Sequence, residues 1–140
     1  RSFSFQEFSQ RYADVRDLGD QMVVRKARLQ DTKNRQNSIV TDDTNLHVMW
    51  EQHQRIVWHT AMKAYNWAIE NGIAKEQARA VMPEGNTPSR LYVNGTLRSW
   101  LHYIELRSAN GTQLEHIQLA IAVADAIAKI FPSVDNFIEK

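Results

Sequence analysis

The sequence predicts an α/β chain of the α+β kind, rich in helix, with a short N-terminal strand followed by long core helices. Three observations predict this. The opening segment places Glu7, Ser9 and Arg11 at alternate positions, and in extended chain residues two apart point the same way. From Leu46 to Ile69 the apolar residues Met49, Trp50, Ile56, Val57, Ala61, Ala64, Tyr65, Trp67 and Ala68 recur at helical spacing. From Thr112 to about Phe131 a second long stretch is apolar over most of a helical circumference.

Taken in order, the opening strand cannot alternate throughout, because Phe3 and Phe5 would then share the polar face, so a bend near Gln6 is expected. Ala13 to Asn37 is polar and charge-rich, with Asp17-Leu-Gly19-Asp20 as a turn signal, and reads as a loop with little regular structure. Thr41-Asp-Asp43-Thr44 offers N-caps for the helix over Leu46–Ile69, whose Trp and Ala stripe is expected to be core, and Asn71-Gly72 closes it. Lys75 to Met82 reads as a short helix stopped by Pro83. Glu84 to Ser89 is a loop, and Arg90 to Asn94 a short extended piece. Leu97 to Arg107 forms a helix, broken at Asn110-Gly111. Thr112-Gln-Leu-Glu115 reads as a capping box opening the last helix, which Pro132 closes. That helix must bury nearly all of its surface, against its own chain or another subunit.

At 140 residues the chain is long enough for one domain with its own core, taken as 1–140. Its 17 basic and 16 acidic residues give a net charge of +1, so no polyelectrolyte surface exists for nucleic acid, and any bound phosphate is a small ligand held locally. The absence of cysteine excludes disulfides, thiolate zinc sites and a cysteine nucleophile. The five histidines have no metal-binding spacing, so no metal is expected. No apolar run approaches the roughly 20 residues of a membrane span, and no signal segment opens the chain, which predicts no membrane partner and a cytoplasmic location.

Several residues carry candidate chemistry. Arg11 supplies a planar charged fork for phosphate oxygens, Ser9 a hydroxyl, and Glu7 an acceptor, although an edge strand with a solvated polar side explains the trio equally. Ser9 has no base near it in sequence and is assigned to binding rather than attack. At about 100° per residue, Arg98 and His102 lie within about 40° of each other, with Glu105 beside them. Arg107 projects about 180° from Arg98, into the apolar arc of Trp100, Leu101, Tyr103 and Ile104. There it either snorkels and offsets the helix dipole, or meets an anionic ligand. Arg79 reads as a solvated helix residue on its own.

Arg1 followed by seven residues and Ser9, together with Glu7-x-Ser9-x-Arg11-Tyr12, resembles the end of the Arg-His-Arg-x7-Ser signature of the flavin-dependent thymidylate synthases, also called thymidylate synthase complementing proteins. Ala78-Arg79-Ala80-Val81-Met82-Pro83 is similar to that family's Ala-Arg-x-Val-x-Pro segment. Val93-Asn-Gly-Thr96-Leu97-Arg98-Ser-Trp-Leu-His102-Tyr103 through Leu106-Arg107 looks like its run from a flavin-binding turn to an arginine facing the uracil ring. Leu29 to Asn37 resembles viral and phage members. The matching segments span Arg1 to about Phe137 in the family's order.

The resemblance implies reductive methylation of dUMP to dTMP with methylenetetrahydrofolate and NADPH, through FAD. It implies dUMP contacts from Glu7, Phe8, Ser9, Gln10, Arg11, Arg79 and Arg107, with Arg107 stabilising the ionised pyrimidine N3 as the catalytic residue. FAD contacts would come from Arg1, Glu7, Thr96, Leu97, Arg98 and His102, although many members have Asn where this chain has Thr96. A cysteine is not needed in this family, unlike the thymidylate synthases that attack uracil with one. The family's homotetramers fit the all-round apolar last helix. A start within the signature and the absence of an initiating Met imply an N-terminally truncated member lacking the first part of the family fold. Its location would be cytoplasmic, or the host cytoplasm if viral. The alternatives are a truncated nucleotide- or flavin-binding module without catalysis, and a mainly helical interaction protein whose polar clusters are solvated faces.

Overall fold

The computed structural model describes residues 2–18 and 22–137. Four strands and four helices follow the order β1 (Phe3–Glu7), β2 (Arg28–Gln30), β3 (Ser38–Val40), α1 (Thr44–Glu70), α2 (Lys75–Ala78), β4 (Leu91–Gly95), α3 (Leu97–Ser108) and α4 (Leu114–Ala128), with short 3-10 turns between and after them. β1 pairs with β4, and β2 pairs antiparallel with β3, Leu29 opposite Ile39. The predicted α+β class is what the chain adopts. Among the described residues no helix is long and apolar enough to cross a membrane.

The residues gather into two compact units. One comprises Arg1–Phe5, Arg28–Val40 and Val93–Lys140, and the other Gln6–Ala27 and Thr41–Tyr92.

In the second unit α1 starts where the Asp43 carboxylate accepts the Leu46 N–H at 2.9 Å, a side-chain N-cap. It ends at Asn71, with Gly72 at φ +74°, a left-handed turn that favours glycine. The core here joins Val15, Tyr65, Ala68 and Ala78, with Ile69 and Met82 packed on it. The buried face of α1 also carries Gln54, Trp58, Ala61 and Met62, which corrects the predicted stripe. Met49, Trp50, Ile56, Val57 and Trp67 are exposed in the single chain: Met49, Ile56 and Trp67 face away from the inward arc, and Trp50 lies on its line but one turn before its first buried residue, Gln54. The segment after β1 is fixed to this core by polar groups. The Gln54 amide accepts the Arg25 N–H and donates to the Arg25 carbonyl, both at 2.8 Å. Asn86 donates to Gln54 at 3.2 Å and to the Val23 carbonyl at 2.9 Å. Gln54 is 4% exposed and its amide is met on both sides, as a buried polar group must be.

In the first unit α3 and α4 pack through Ile104, Ala124 and Val134. Phe3 lies edge-on to Trp100 at 4.8 Å and to Tyr103 at 6.3 Å, over the bare backbone of Gly95. A Cβ at Gly95 would overlap the Phe3 ring, 2.6 Å from Cε1. Gly95→Ala is therefore expected to cost about 1–3 kcal/mol by overpacking. In a denaturant titration, Phe3→Ala should remove most of that penalty.

The structure departs from the sequence reading in four further places. Residues 28–40 form a hairpin within and beyond the stretch read as loop. Its turn is built from side-chain bonds, the Asp31 carboxylate accepting the Lys33 and Asn34 N–H groups at 2.8 and 3.0 Å, so no glycine or proline marks it. β1 continues through Gln6, and the chain turns at residues 10–12, where the Ser9 carbonyl accepts the Tyr12 and Ala13 N–H groups. The alternation of Glu7, Ser9 and Arg11 therefore does not persist to Arg11. The capping box of α4 does not form: Gln113 is the N-cap without a side-chain bond to a helix N–H, and the Glu115 carboxylate accepts from Arg28 at 2.8 Å and from the Gln113 amide at 2.9 Å. α4 ends at Ala128 and is followed by a 3-10 turn, Pro132–Phe137. Ala120 and Ala124 are buried while Leu119 and Ile121 are exposed, so this chain alone does not cover the all-round apolar surface.

Two carboxylates give the protein an acid-sensitive stability. Hydrogen bonding from Arg16 pulls the Asp14 carboxyl down to about 2, and hydrogen bonding from Arg28 pulls Glu115 down to about 2. Between those values and the ordinary carboxylate range the unfolded chain binds more protons than the folded one. The stabilisation is complete above the ordinary range and is lost as pH falls towards 2. Each pair is expected to contribute about 2 kcal/mol. Denaturant titrations from pH 6 to pH 2.5 should show that fall, and Glu115→Gln should flatten part of it.

Candidate functional site

The end of β1, the turn after it and the end of α2 meet inside the second unit. Glu7 is the last residue of β1, and its carboxylate accepts the Ser89 hydroxyl at 2.9 Å. The strand is anchored just beyond by the Phe8 N–H donating to the Arg90 carbonyl at 2.8 Å. Glu7, Gln10, Glu76, Arg79, Thr87 and Ser89 line a cleft of about 490 Å³. Ser9 fixes the turn through its backbone carbonyl, leaving its exposed hydroxyl free of that task. Arg11 follows in the turn and donates from Nε to the Glu76 carboxylate at 3.0 Å.

Arg79 reaches this cleft because of a change of helix type. α2 is one turn long, and at Arg79 it tightens into a 3-10 turn through Val81 that Pro83 terminates. The Met82 N–H closes that turn on the Arg79 carbonyl at 3.0 Å. Ala78 is buried against Tyr65, so docking of α2 on α1 fixes where the Arg79 backbone lies. The cleft thus has one guanidinium on its wall and a second on a residue paired to its wall, beside carboxylates and hydroxyls. The guanidiniums suit a phosphate, and the carboxylates, of which Glu84 is a third on the wall, suit hydroxyl and amide hydrogens, as a small, polar, phosphorylated ligand offers.

The remaining predicted residues lie in the first unit, apart from Arg1, which falls outside the described residues. Thr96 is the N-cap of α3, its hydroxyl accepting the Ser99 N–H at 3.3 Å and sharing a bond with the Ser99 hydroxyl at 3.1 Å. Leu97 and Arg98 are exposed in the first turn. His102, half-buried one turn on, has Nδ1 3.7 Å from the Glu105 carboxylate, which matches the polar face read from the sequence. Arg107 is exposed rather than set in the apolar arc, since the buried line of α3 runs through Ser99, Ile104 and Ser108. It stands near Tyr103 and His116, whose rings are 5.5 Å apart. Burial and the Arg107 charge both push the His116 imidazole down. Burial pushes the Tyr103 phenol up, against the pull of Arg107.

Residues that sequence reasoning did not single out are Glu76, Thr87 and Ser89 in the cleft. Glu76 carried a readable signal, three positions before Arg79 and so on the same helical side. Ser89 had none, because its partner Glu7 is 82 residues away.

The family model of the thymidylate synthase complementing protein matches residues 1–133. The chain belongs to this family. Among its relatives is a probable flavin-dependent thymidylate synthase of Paramecium bursaria Chlorella virus 1, 49% identical over 134 residues, covering 96% of this chain and 60% of that protein. The flavin-dependent thymidylate synthase of Synechocystis sp. is 42% identical over 139 residues, 99% of this chain and 62% of that one. The fold is similar to that of a UMP/dUMP methylase of Streptomyces cacaoi bound with 5-bromo-UMP, at a TM-score of 0.80 and 28% identity, over 93% of this chain and 61% of that one. The chain thus spans about three fifths of the length of these two relatives and of that structure.

Proposed function

We propose that this chain acts as a flavin-dependent thymidylate synthase, the reductive methylation of dUMP to dTMP with methylenetetrahydrofolate and NADPH as co-substrates. The observation that carries the reading is the convergence of Glu7, Gln10 and Arg79 on one cleft. They come from segments about 70 residues apart that the resemblance independently assigns to dUMP. In this reading Arg79 and Arg11 hold the phosphate by forked hydrogen bonds. Glu7, Phe8, Ser9 and Gln10 line the nucleotide, and the Arg107 cation favours the ionised N3 of the pyrimidine.

The donors on α3 fit a flavin nucleotide. Arg98 offers an exposed guanidinium and His102 an imidazole one turn away, a pair suited to phosphate and ring carbonyl oxygens, with Leu97 as an apolar neighbour. Thr96 fits more weakly, because its hydroxyl already serves the helix cap. Arg1 and Glu7 complete the FAD contacts in this reading. FAD, when bound, supplies the hydride-transfer chemistry, while the side chains bind, orient and bias ionisation. The exposed Trp50 and Trp67 of α1 and Leu119 of α4 support a contact between copies, in this reading the homotetramer that the resemblance implies, and the location in this reading is cytoplasmic, or the host cytoplasm for a viral protein.

Tritium release from 5-tritiated dUMP in the presence of FAD, NADPH and methylenetetrahydrofolate tests the proposal. Release is expected, and Arg107→Ala should lower it about tenfold to a hundredfold with dUMP affinity largely retained. Absence of release with dUMP still bound would overturn the catalytic reading and leave a nucleotide-binding module.

A further inference from the structure

Glu76 is a carboxylate on the wall of a cleft read as an anion site, where an unpaired negative charge would oppose a phosphate. Its position indicates another task. The Glu76 carboxylate meets Arg11 at Nε, the inner nitrogen of the guanidinium, and among the described residues the two terminal nitrogens have no hydrogen-bond partner. A guanidinium held from its Nε side keeps its outer NH2 groups available in a fixed direction. The neighbouring Lys75 ammonium donates to the Tyr12 carbonyl at 3.4 Å. The first turn of α2 therefore holds the 10–12 turn at two points, one on the backbone and one on the Arg11 side chain. Arg11 and Glu76 are 58% and 44% exposed, so the pair stabilises the fold little. Its worth lies in fixing the direction of a long side chain whose Cζ also stands 5.4 Å from the centre of the Tyr12 ring.

We infer that Glu76 is a positioning residue: through Nε it presents the Arg11 fork to the phosphate of the nucleotide held in the Glu7, Gln10 and Arg79 cleft. This rests on the dUMP reading of that cleft. The sign of the effect separates positioning from plain electrostatics. Removing a carboxylate beside an anion site tightens binding if charge alone acts, whereas losing the orientation of Arg11 weakens it.

The test is calorimetric titration of dUMP into the wild-type chain and into Glu76→Ala, Glu76→Gln, Arg11→Ala and the Arg11→Ala/Glu76→Ala double variant. Glu76→Ala is expected to weaken dUMP about tenfold, with no further loss when added to Arg11→Ala, because the two act as one unit. Glu76→Gln, which keeps an acceptor for Nε, should recover most of the affinity. The melting temperature without ligand should move little in each variant. Unchanged or tighter binding in Glu76→Ala, or losses that add in the double variant, would overturn the inference while leaving the cleft reading intact. Failure of the wild-type chain to bind dUMP would overturn the cleft reading, and this inference with it.

Discussion

Arg79→Ala is expected to weaken dUMP binding by about a hundredfold to a thousandfold, a loss of about 3–4 kcal/mol. Arg79 lines the cleft, and the 3-10 turn closed by the Met82 N–H fixes where its backbone stands. Two charge-assisted bonds of the forked kind account for the magnitude. Arg79→Lys should recover only part of the loss, since an ammonium meets a phosphate as a point charge and not as a fork. Calorimetry on the two variants, with melting temperatures as a control for folding, checks this. A loss of less than about fivefold in Arg79→Ala would remove Arg79 from the phosphate site.

Tyr65→Ala is expected to destabilise the protein by about 3–5 kcal/mol, the range for deleting a fully buried aromatic ring. Tyr65 has no exposed surface and packs with Val15, Ala68 and Ala78. It joins α1 to the segment after the 10–12 turn and to the helix that presents Arg79. Its hydroxyl accepts the Val15 N–H at a long 3.4 Å, so Tyr65→Phe should cost only about 1 kcal/mol. The contrast between the two variants in urea titrations separates ring packing from the hydrogen bond. Because Ala78 loses its partner in Tyr65→Ala, dUMP affinity should fall together with stability, whereas in Tyr65→Phe it should not.

The long helices were legible in the sequence for physical reasons. α1 and α3 carry a 3.6-residue apolar period, Asp43 and Thr96 cap them by side chain, and Gly72 takes the positive φ that closes α1. Which apolar arc faces inward was not legible. Trp58 and Trp67, nine positions apart, lie on opposite faces of one helix and are 3% and 60% exposed, and the sequence does not say which of the two faces meets the core. The β2–β3 hairpin was missed because Asp31 and Asn34 build its turn without glycine or proline. The Gln54 and Asn86 clasp was missed because its partners are about 30 or more residues apart. At the site, Glu7 is legible from its alternation with Ser9 and Arg11, Gln10 and Arg79 only through resemblance, and the fold brings the three together on one cleft. Glu76 was missed because a single carboxylate in a polar helix reads as a solvated charge until its partner is seen.

The central claim, that the cleft of Glu7, Gln10 and Arg79 is a nucleotide phosphate site, is tested most directly by calorimetric comparison of dUMP with deoxyuridine on the unaltered chain. Saturable binding of dUMP at one site is expected, with deoxyuridine about a hundredfold weaker because it offers nothing to the arginines. Equal affinities for the two ligands would contradict the claim.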